Sequence, residues 1–126
     1  MLKIMNDLPD NVLGVCATGE ITATDYETVL IPVIEEKIKR NKKIRVLYQL
    51  TNSVEGFELS AMIDDAKVAI GHASALEKMA LVSDHHLINA IAKFFSHFMP
   101  CKFRIFKNSD LDAAKKWLAD PTMHSL

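Results

Sequence analysis

The chain has 126 residues, 49% of them hydrophobic and 25% charged, and its 15 basic residues nearly balance 16 acidic ones. This length predicts one domain that can bury a core without disulfides or metals. The net charge of -1 and the aromatic content of 7% argue against a nucleic-acid binder, which is usually basic with exposed aromatic side chains.

Targeting signals and metal motifs are absent from the sequence. Residues 1–7 lack the apolar core of a signal peptide, and the apolar runs are shorter than a membrane span. We therefore expect a cytoplasmic protein with no membrane span. Cys16 and Cys101 form neither a CxxC nor a zinc motif, so we expect buried, reduced thiols and no cofactor or metal.

The first elements predicted along the chain are two short strands, residues 2–5 and 12–18. The turn between them is so short that the strands should be antiparallel. A helix follows from Thr24, because residues 24–27 read as a capping box. Pro32 lies inside its apolar stripe, so either the helix is kinked there or a turn precedes Pro32 and the main helix starts at that residue.

The middle of the chain continues the alternation. Residues 44–50 predict a buried strand and residues 51–56 a loop. A second helix should follow, with apolar residues spaced along one face from Leu59 to Ala73. Gly71 and His72 should end it, since glycine commonly follows a helix. A strand is expected within residues 76–82.

The last third of the chain predicts two helices around a strand. Ser83 and Asp84 offer N-caps to a third helix that runs to about Phe98. Residues 102–106 alternate charged and apolar side chains, as a strand with one buried face does. Residues 108–110 cap a last helix whose packing face contains four residues: Leu111, Ala114, Trp117 and Leu118.

The element order is therefore ββαβαβαβα. It predicts an α/β domain with a mixed sheet of about five strands, packed with four helices. A leading antiparallel hairpin is followed by βαβ crossovers, which are right-handed almost without exception. No internal repeat or linker interrupts the chain, so residues 1–126 should form a single domain.

Five segments in this order resemble the SpoIIAA-like proteins of the STAS type, which are related to anti-sigma-factor antagonists. The segments are residues 25–36, 55–59, 64–67, 78–82 and 104–118. The resemblance implies a mixed sheet packed with helices, a cytoplasmic location and often a homodimer. It implies no reaction.

In the antagonists, a serine at the start of the helix after the third strand is phosphorylated, which breaks a protein–protein contact. The resemblance makes Ser53 the nearest candidate for such a switch. The antagonists carry an Asp-Ser pair and a glycine-rich turn, whereas this chain has Asn52-Ser53 followed by Val54-Glu55. A phosphate near a helix N-terminus would be stabilised by free N–H groups. The alternative is a plain loop serine.

Polar clusters give weaker indications. His85 and His86 follow Asp84 but point about 100° apart on a helix, so they cannot easily share one metal ion. Asp64 and Asp65 lie opposite the apolar stripe of the second helix, together with Glu58, and indicate a solvated face. The basic residues between Lys37 and Arg45 suit the C-terminal end of the first helix, or an anionic partner.

The third helix is the most informative segment. Leu87, Ile91, Phe94, Phe95 and Phe98 follow the spacing of a core face, and Ile88, Ala92 and Met99 widen it. Either the helix is deeply buried, or part of this face meets a second subunit or an apolar ligand. The candidate interface or ligand-facing residues are four: Phe94, Phe95, Phe98 and Met99.

We therefore expect a non-enzymatic protein-interaction or regulatory module that forms a homodimer. The alternative is a carrier or sensor that binds a small apolar ligand beside the third helix. A third hypothesis, an enzyme, needs Asp64, Asp65, His85 or His86 to converge in one cleft.

Overall fold

A computed structural model of the chain describes residues 1–57, 67, 71–99 and 101–120. Five strands form one mixed sheet in the order β1-β2-β3-β4-β5. The strands are β1 (Leu2–Ile4), β2 (Val12–Ile21), β3 (Ile44–Phe57), β4 (Leu76–Ser83) and β5 (Lys102–Phe106). β1 is antiparallel to β2, and every later pair is parallel. The predicted α/β class and mixed sheet are confirmed.

The described helices are α1 (Ala23–Asp25), α2 (Ile31–Asn41), α3 (His86–Ser96) and α4 (Leu111–Ala119). A π-helical segment, Tyr26–Leu30, joins α1 to α2, and short 3-10 turns cover Ala73–Ala75 and Asn108–Asp110. Most of the predicted second helix, with its carboxylates Glu58, Asp64 and Asp65, lies outside the described residues. No helix within the described ranges is long and apolar enough to cross a membrane.

The helix after β2 begins two residues earlier than the sequence predicts. Thr22 is its N-cap: the Thr22 hydroxyl accepts from Asp25 N, and the Asp25 carboxylate accepts from Thr22 N at 3.0 Å. The predicted capping box at Thr24 is therefore wrong, because β2 runs on to Ile21. The chain remains helical through Pro32, with the π-helical segment just before it. A wider turn can accommodate a proline ring that would clash with the preceding turn of an α-helix.

The two faces of the sheet carry different helices. On one face, side chains such as Val15 and Leu81 pack with Tyr26, Leu30 and the inner side of α3. On the other, a second core forms between the sheet and α4. Its buried members are seven: Val12, Leu47, Ala80, Val82, Phe106, Ala114 and Leu118.

Two buried cations hold the end of α4 against the sheet. Arg45 and Lys78 are neighbours on β3 and β4 and are only 5% and 1% exposed. Arg45 donates to the carbonyl oxygens of Leu118 (2.8 Å) and Asp120. Lys78 donates to those of Trp117 (3.0 Å) and Asp120 (3.3 Å). Burial, and then the neighbouring Arg45 charge, lowers the pKa of Lys78. Cations suit the last carbonyls of a helix, because these lie at the negative end of its dipole.

β3 extends seven residues beyond its predicted end. Residues 51–56, predicted as a loop, continue the strand to Phe57 and pair with the end of β2, for example Gly19 with Val54. The register shifts on both sides of Gly19, whose φ of 63° suits a glycine at such an irregularity.

A strained turn ends α2. Lys42 has φ 62° and ψ -44°, and Lys43 N donates to Asn41 O at 2.6 Å across it. This is a γ-turn with positive φ at a residue that carries a side chain, a conformation that costs free energy.

Lys42→Gly should therefore raise the free energy of unfolding by about 1 kcal/mol, because glycine adopts positive φ without a steric penalty. Lys39→Gly, in the exposed interior of α2, should lower it by about 1 kcal/mol. Urea unfolding of both variants measures this difference. A loss of stability in Lys42→Gly would contradict the strained turn.

Lys78→Met keeps the apolar stem of the side chain and removes its ammonium group. We expect the free energy of unfolding to fall by about 1–3 kcal/mol, because the carbonyls of Trp117 and Asp120 lose a buried donor. Urea unfolding can be followed by the fluorescence of Trp117, the single tryptophan. Lys3→Met, at an exposed position of β1, is the control and should change stability by less than about 0.5 kcal/mol. If both substitutions change the free energy of unfolding equally, the Lys78 ammonium group does not stabilise the packing of α4 on the sheet.

Candidate functional site

The carboxyl ends of β3, β4 and β5 meet at one edge of the sheet, because these strands are parallel. Ligands of open α/β sheets bind outside such an edge. The polar residues here include Thr51, which lies in β3 just after its last pair with β4, Asp84 and His85 after β4, and Asn108 after β5. A binding or catalytic site is therefore expected first at this edge.

Asn108 ties the three strand ends together. Its side-chain amide donates to Leu50 O at 3.0 Å and to the Asp84 carboxylate at 3.3 Å, and its carbonyl accepts from Gln49 at 2.9 Å. Its backbone N–H also donates to the Asp84 carboxylate at 3.2 Å. The sequence predicts Asn108 as a helix cap, but its side chain caps neither α4 nor the 3-10 turn before it. These contacts give Asn108 a structural role, since both its amide nitrogen and its amide oxygen bind other residues of the protein.

Ser53 lies within β3 and is exposed, four residues before the strand ends. The Thr51 hydroxyl donates to Ala17 O at 3.0 Å, so its 2.7 Å bond to the Ser53 hydroxyl has Ser53 as the donor. The predicted loop around Ser53 is therefore wrong. Its role as a phosphorylation switch stays a prediction.

The residues around the start of α3 do not converge on one point. The Asp84 carboxylate faces Asn108, and the His85 ring nitrogen Nε2 lies 3.5 Å from Thr51 O. His86 is exposed. Within the described ranges, no three His, Cys, Asp or Glu residues are placed to hold a metal ion.

The predicted N-caps of α3 are also wrong. His85 occupies the N-cap position, and no side chain caps the helix. The Ser83 hydroxyl accepts from His85 N at 3.0 Å, before the helix begins at His86, and Asp84 is turned towards Asn108. The Asn89 side chain donates to Ser83 O at 2.9 Å, which connects the first turn of α3 to the end of β4.

The outer side of α3 carries a continuous row of exposed apolar side chains. Leu87 is 73% exposed, Ile91 42%, Phe94 and Phe95 60% each, and Phe98, just after the helix, 72%. We call these five residues the α3 ridge. The Phe94 ring meets those of Phe95 and Phe98 edge to face, with centroids 5.6 Å apart in each pair. The three phenylalanine rings of the ridge are therefore packed against one another and are largely exposed.

The inner side of α3 is narrower than the ridge. Ile88 and Ala92 pack against the sheet core with Met99, and no residue of α3 is fully buried. Of the two alternatives from the sequence, the deeply buried helix is wrong: the helix turns its larger apolar side outwards. Met99 points to the core side, apart from the three phenylalanines.

A crevice of about 140 Å³ lies beneath α3. Its walls include Tyr26, Tyr48, Leu50, Ile88, Ala92 and Phe103. The two tyrosine hydroxyls hydrogen-bond to each other at 2.9 Å. The crevice is mainly apolar. Its walls come from five separate elements, so only the folded chain brings them together.

The basic residues at the end of α2 and just after it are largely paired within the protein. Lys37 donates to Asp10 O at 2.9 Å, Arg40 binds the Asp10 carboxylate at 2.9 Å, and Lys43 donates to Ser74 O at 2.7 Å. Hydrogen bonds from Arg40, then Asn41, lower the pKa of Asp10 to about 2. These contacts support the role of the cluster in closing the helix, over an anionic partner.

The two cysteines are free and only half-buried, so the expectation of full burial is wrong. Burial raises the pKa of the Cys101 thiol. A raised pKa keeps the thiol protonated and unreactive near neutral pH.

Asn108→Ala should lower the free energy of unfolding by about 1–3 kcal/mol, because Leu50 O, Gln49 and Asp84 each lose a partner. Ser109→Ala, at the next and exposed position, is the matched control and should have an effect within about 0.5 kcal/mol. Thermal or urea unfolding measures both. If Asn108→Ala matches the control, the strand ends are held by other contacts.

Comparisons with known proteins agree with this architecture. No curated protein matches the chain. A crystal structure of an uncharacterised protein of the DUF3478 family with a SpoIIAA-like fold, from Shewanella loihica PV-4, is similar with a TM-score of 0.74 at 26% identity. The match covers 94% of this chain and 92% of that chain. The SpoIIAA-like family model matches residues 12–119. The chain therefore belongs to the SpoIIAA-like family.

Proposed function

We propose that the domain is a non-enzymatic, regulatory interaction module that contacts a protein partner through the α3 ridge, in the cytoplasm. The observation that carries the proposal is the ridge itself, five apolar side chains on one helix side that are 42–73% exposed. Contiguous apolar patches of this kind mark interaction sites on folded domains. Aromatic side chains are also enriched at the centres of protein interfaces.

The polar edge of the sheet supports a non-enzymatic role. Acid–base and nucleophilic catalysis need groups within hydrogen-bond reach of a shared substrate position. Here the Asp84 carboxylate is engaged by Asn108, and the His85 ring is directed at a backbone oxygen. The polar groups of this edge form hydrogen bonds that connect the strands to one another.

A second candidate function is a carrier or sensor of a small apolar ligand, and the crevice beneath α3 favours it. Ligand pockets usually have volumes of about 300–1,000 Å³. The crevice has about 140 Å³, which suits only a fragment of such a ligand. For this reason we rank the carrier second to the interaction module.

A photo-crosslinking residue on the ridge tests the proposal in cells. Phe95→p-benzoylphenylalanine should give a covalent adduct with a protein, because the ring at this position contacts the partner. Lys116→p-benzoylphenylalanine, on the exposed side of α4, is the control and should give none. Gel electrophoresis and mass spectrometry of the adduct identify it.

Absence of any protein adduct from Phe95, or the same adducts from both positions, would overturn the interaction module. An adduct with a small apolar molecule alone would favour the carrier.

A further inference from the structure

We propose that the outer edge of β5 binds an extended segment of another protein in which acidic side chains alternate with apolar ones. Such a segment would add one strand to the sheet. In this mode of recognition, backbone hydrogen bonds give affinity and the alternate side chains give specificity. The inference goes beyond the proposed function, because it concerns a second surface that does not depend on the α3 ridge.

β5 presents a preformed strand edge. It is the last strand of the described sheet and pairs with β4 alone. The backbone groups on its other side therefore face no further strand within the described ranges, and a row of such groups is a template for another extended chain. Phe103 and Ile105 pack against the first core and Phe106 belongs to the second, so the strand is held in place from both faces of the sheet.

Arg104 is exposed on this strand and is positioned by two aromatic rings. Its guanidinium carbon Cζ lies 4.7 Å from the centre of the Phe106 ring and 5.5 Å from that of Trp117. The two rings pack on each other with centroids 6.1 Å apart. An arginine can stack on aromatic rings and still bind a carboxylate through paired N–H donors.

Arg104 has no carboxylate partner in the part of the chain that the structure describes. A side chain that is oriented in advance loses less conformational freedom when it binds a ligand. The guanidinium group of Arg104 is therefore suited to a carboxylate supplied from outside the described chain.

This edge of the sheet is basic. Of residues 101–107, three are Lys or Arg and none is Asp or Glu. Lys102 and Arg104 share the α4 face of the strand, about 7 Å apart, because side chains alternate along it. On the neighbouring strand β4, the Glu77 carboxylate is already bound by Arg45 at 3.2 Å. A partner strand with an acidic side chain at every second position would place carboxylates beside both Lys102 and Arg104, and opposite charges in such pairs stabilise neighbouring strands.

The same charges argue against two other occupants of the edge. A second copy of β5 would bring the basic side chains of both copies together, and charged side chains on edge strands oppose such pairing. A nucleic acid could not use the backbone groups of the strand, and its binders usually carry more basic surface than a chain with a net charge of -1. An acidic polypeptide uses both the backbone edge and the positive charge.

Fluorescence anisotropy of the purified chain with a short fluorescein-labelled peptide of alternating Glu and Val tests the inference. Binding should saturate and should weaken as salt is added, because exposed charges are screened. Arg104→Gln should weaken it by about tenfold or more, the loss expected for a hydrogen-bonded charged pair. Lys39→Gln removes an exposed cation from α2 and is the matched control, with an affinity equal to that of the parent chain. Circular dichroism verifies the fold of both variants.

Backbone methylation of the peptide distinguishes an added strand from charge attraction alone. In an added strand, the N–H groups of alternate residues face β5 and the others face away. Two peptides are compared, one N-methylated on its Glu residues and the other on its Val residues. One should lose binding and the other should keep it. Equal affinities of the two peptides would overturn the added strand.

Further outcomes bear on the occupant. Failure of the alternating peptide to bind, or equal binding to the parent chain and Arg104→Gln, would overturn the inference. Tight binding of single-stranded oligothymidylate that displaces the peptide would identify a nucleic-acid site instead. None of these results affects the crosslinking expected from Phe95, because that residue lies on the α3 ridge, so the two proposals fail separately.

Discussion

The structure depends on one topological constraint: the strands lie in the sheet in their chain order. When every crossover is right-handed and each new strand is added on the same side of the previous one, the connecting helices all lie on one face of the sheet. The helices after β2 and β4 accordingly share one core, and the opposite face is left for α4. The buried Arg45 and Lys78 connect the end of α4 to the sheet. Removing either cation would leave helix carbonyls unpaired in the second core.

The same constraint defines the candidate surface. α3 must connect β4 to β5 at the edge of the sheet, where there is little sheet for it to cover. Only Ile88 and Ala92 of the helix, with Met99 beyond it, pack inwards, and the larger apolar side remains outside. The exposure of the α3 ridge is therefore a consequence of where the crossover from β4 to β5 falls. The polar strand ends beside it keep the start of the helix in place.

Much of the fold follows from the sequence. The alternation of apolar runs and amphipathic helices predicts the α/β class, the leading hairpin and the mixed sheet, which are all confirmed. The errors lie at element ends: β2 runs to Ile21, β3 runs to Phe57, and Thr22 replaces Thr24 as the cap. All three differences depend on the pairing of Gly19 with Val54, a long-range contact that extends both β2 and β3. Local propensity cannot reveal such a contact, because the two residues are far apart in the chain.

The sequence by itself determined that α3 carries apolar residues over more than one side, and it identified Phe94, Phe95 and Phe98 as the candidates. Only the tertiary structure decided which side faces the sheet. The physical reason is that helical spacing gives only the directions of side chains relative to one another. The rotation of the helix about its own axis depends on where β4 ends and where β5 begins. The Asn108 contacts, the crevice and the Arg45–Lys78 pair likewise arise from elements that meet only in the folded chain.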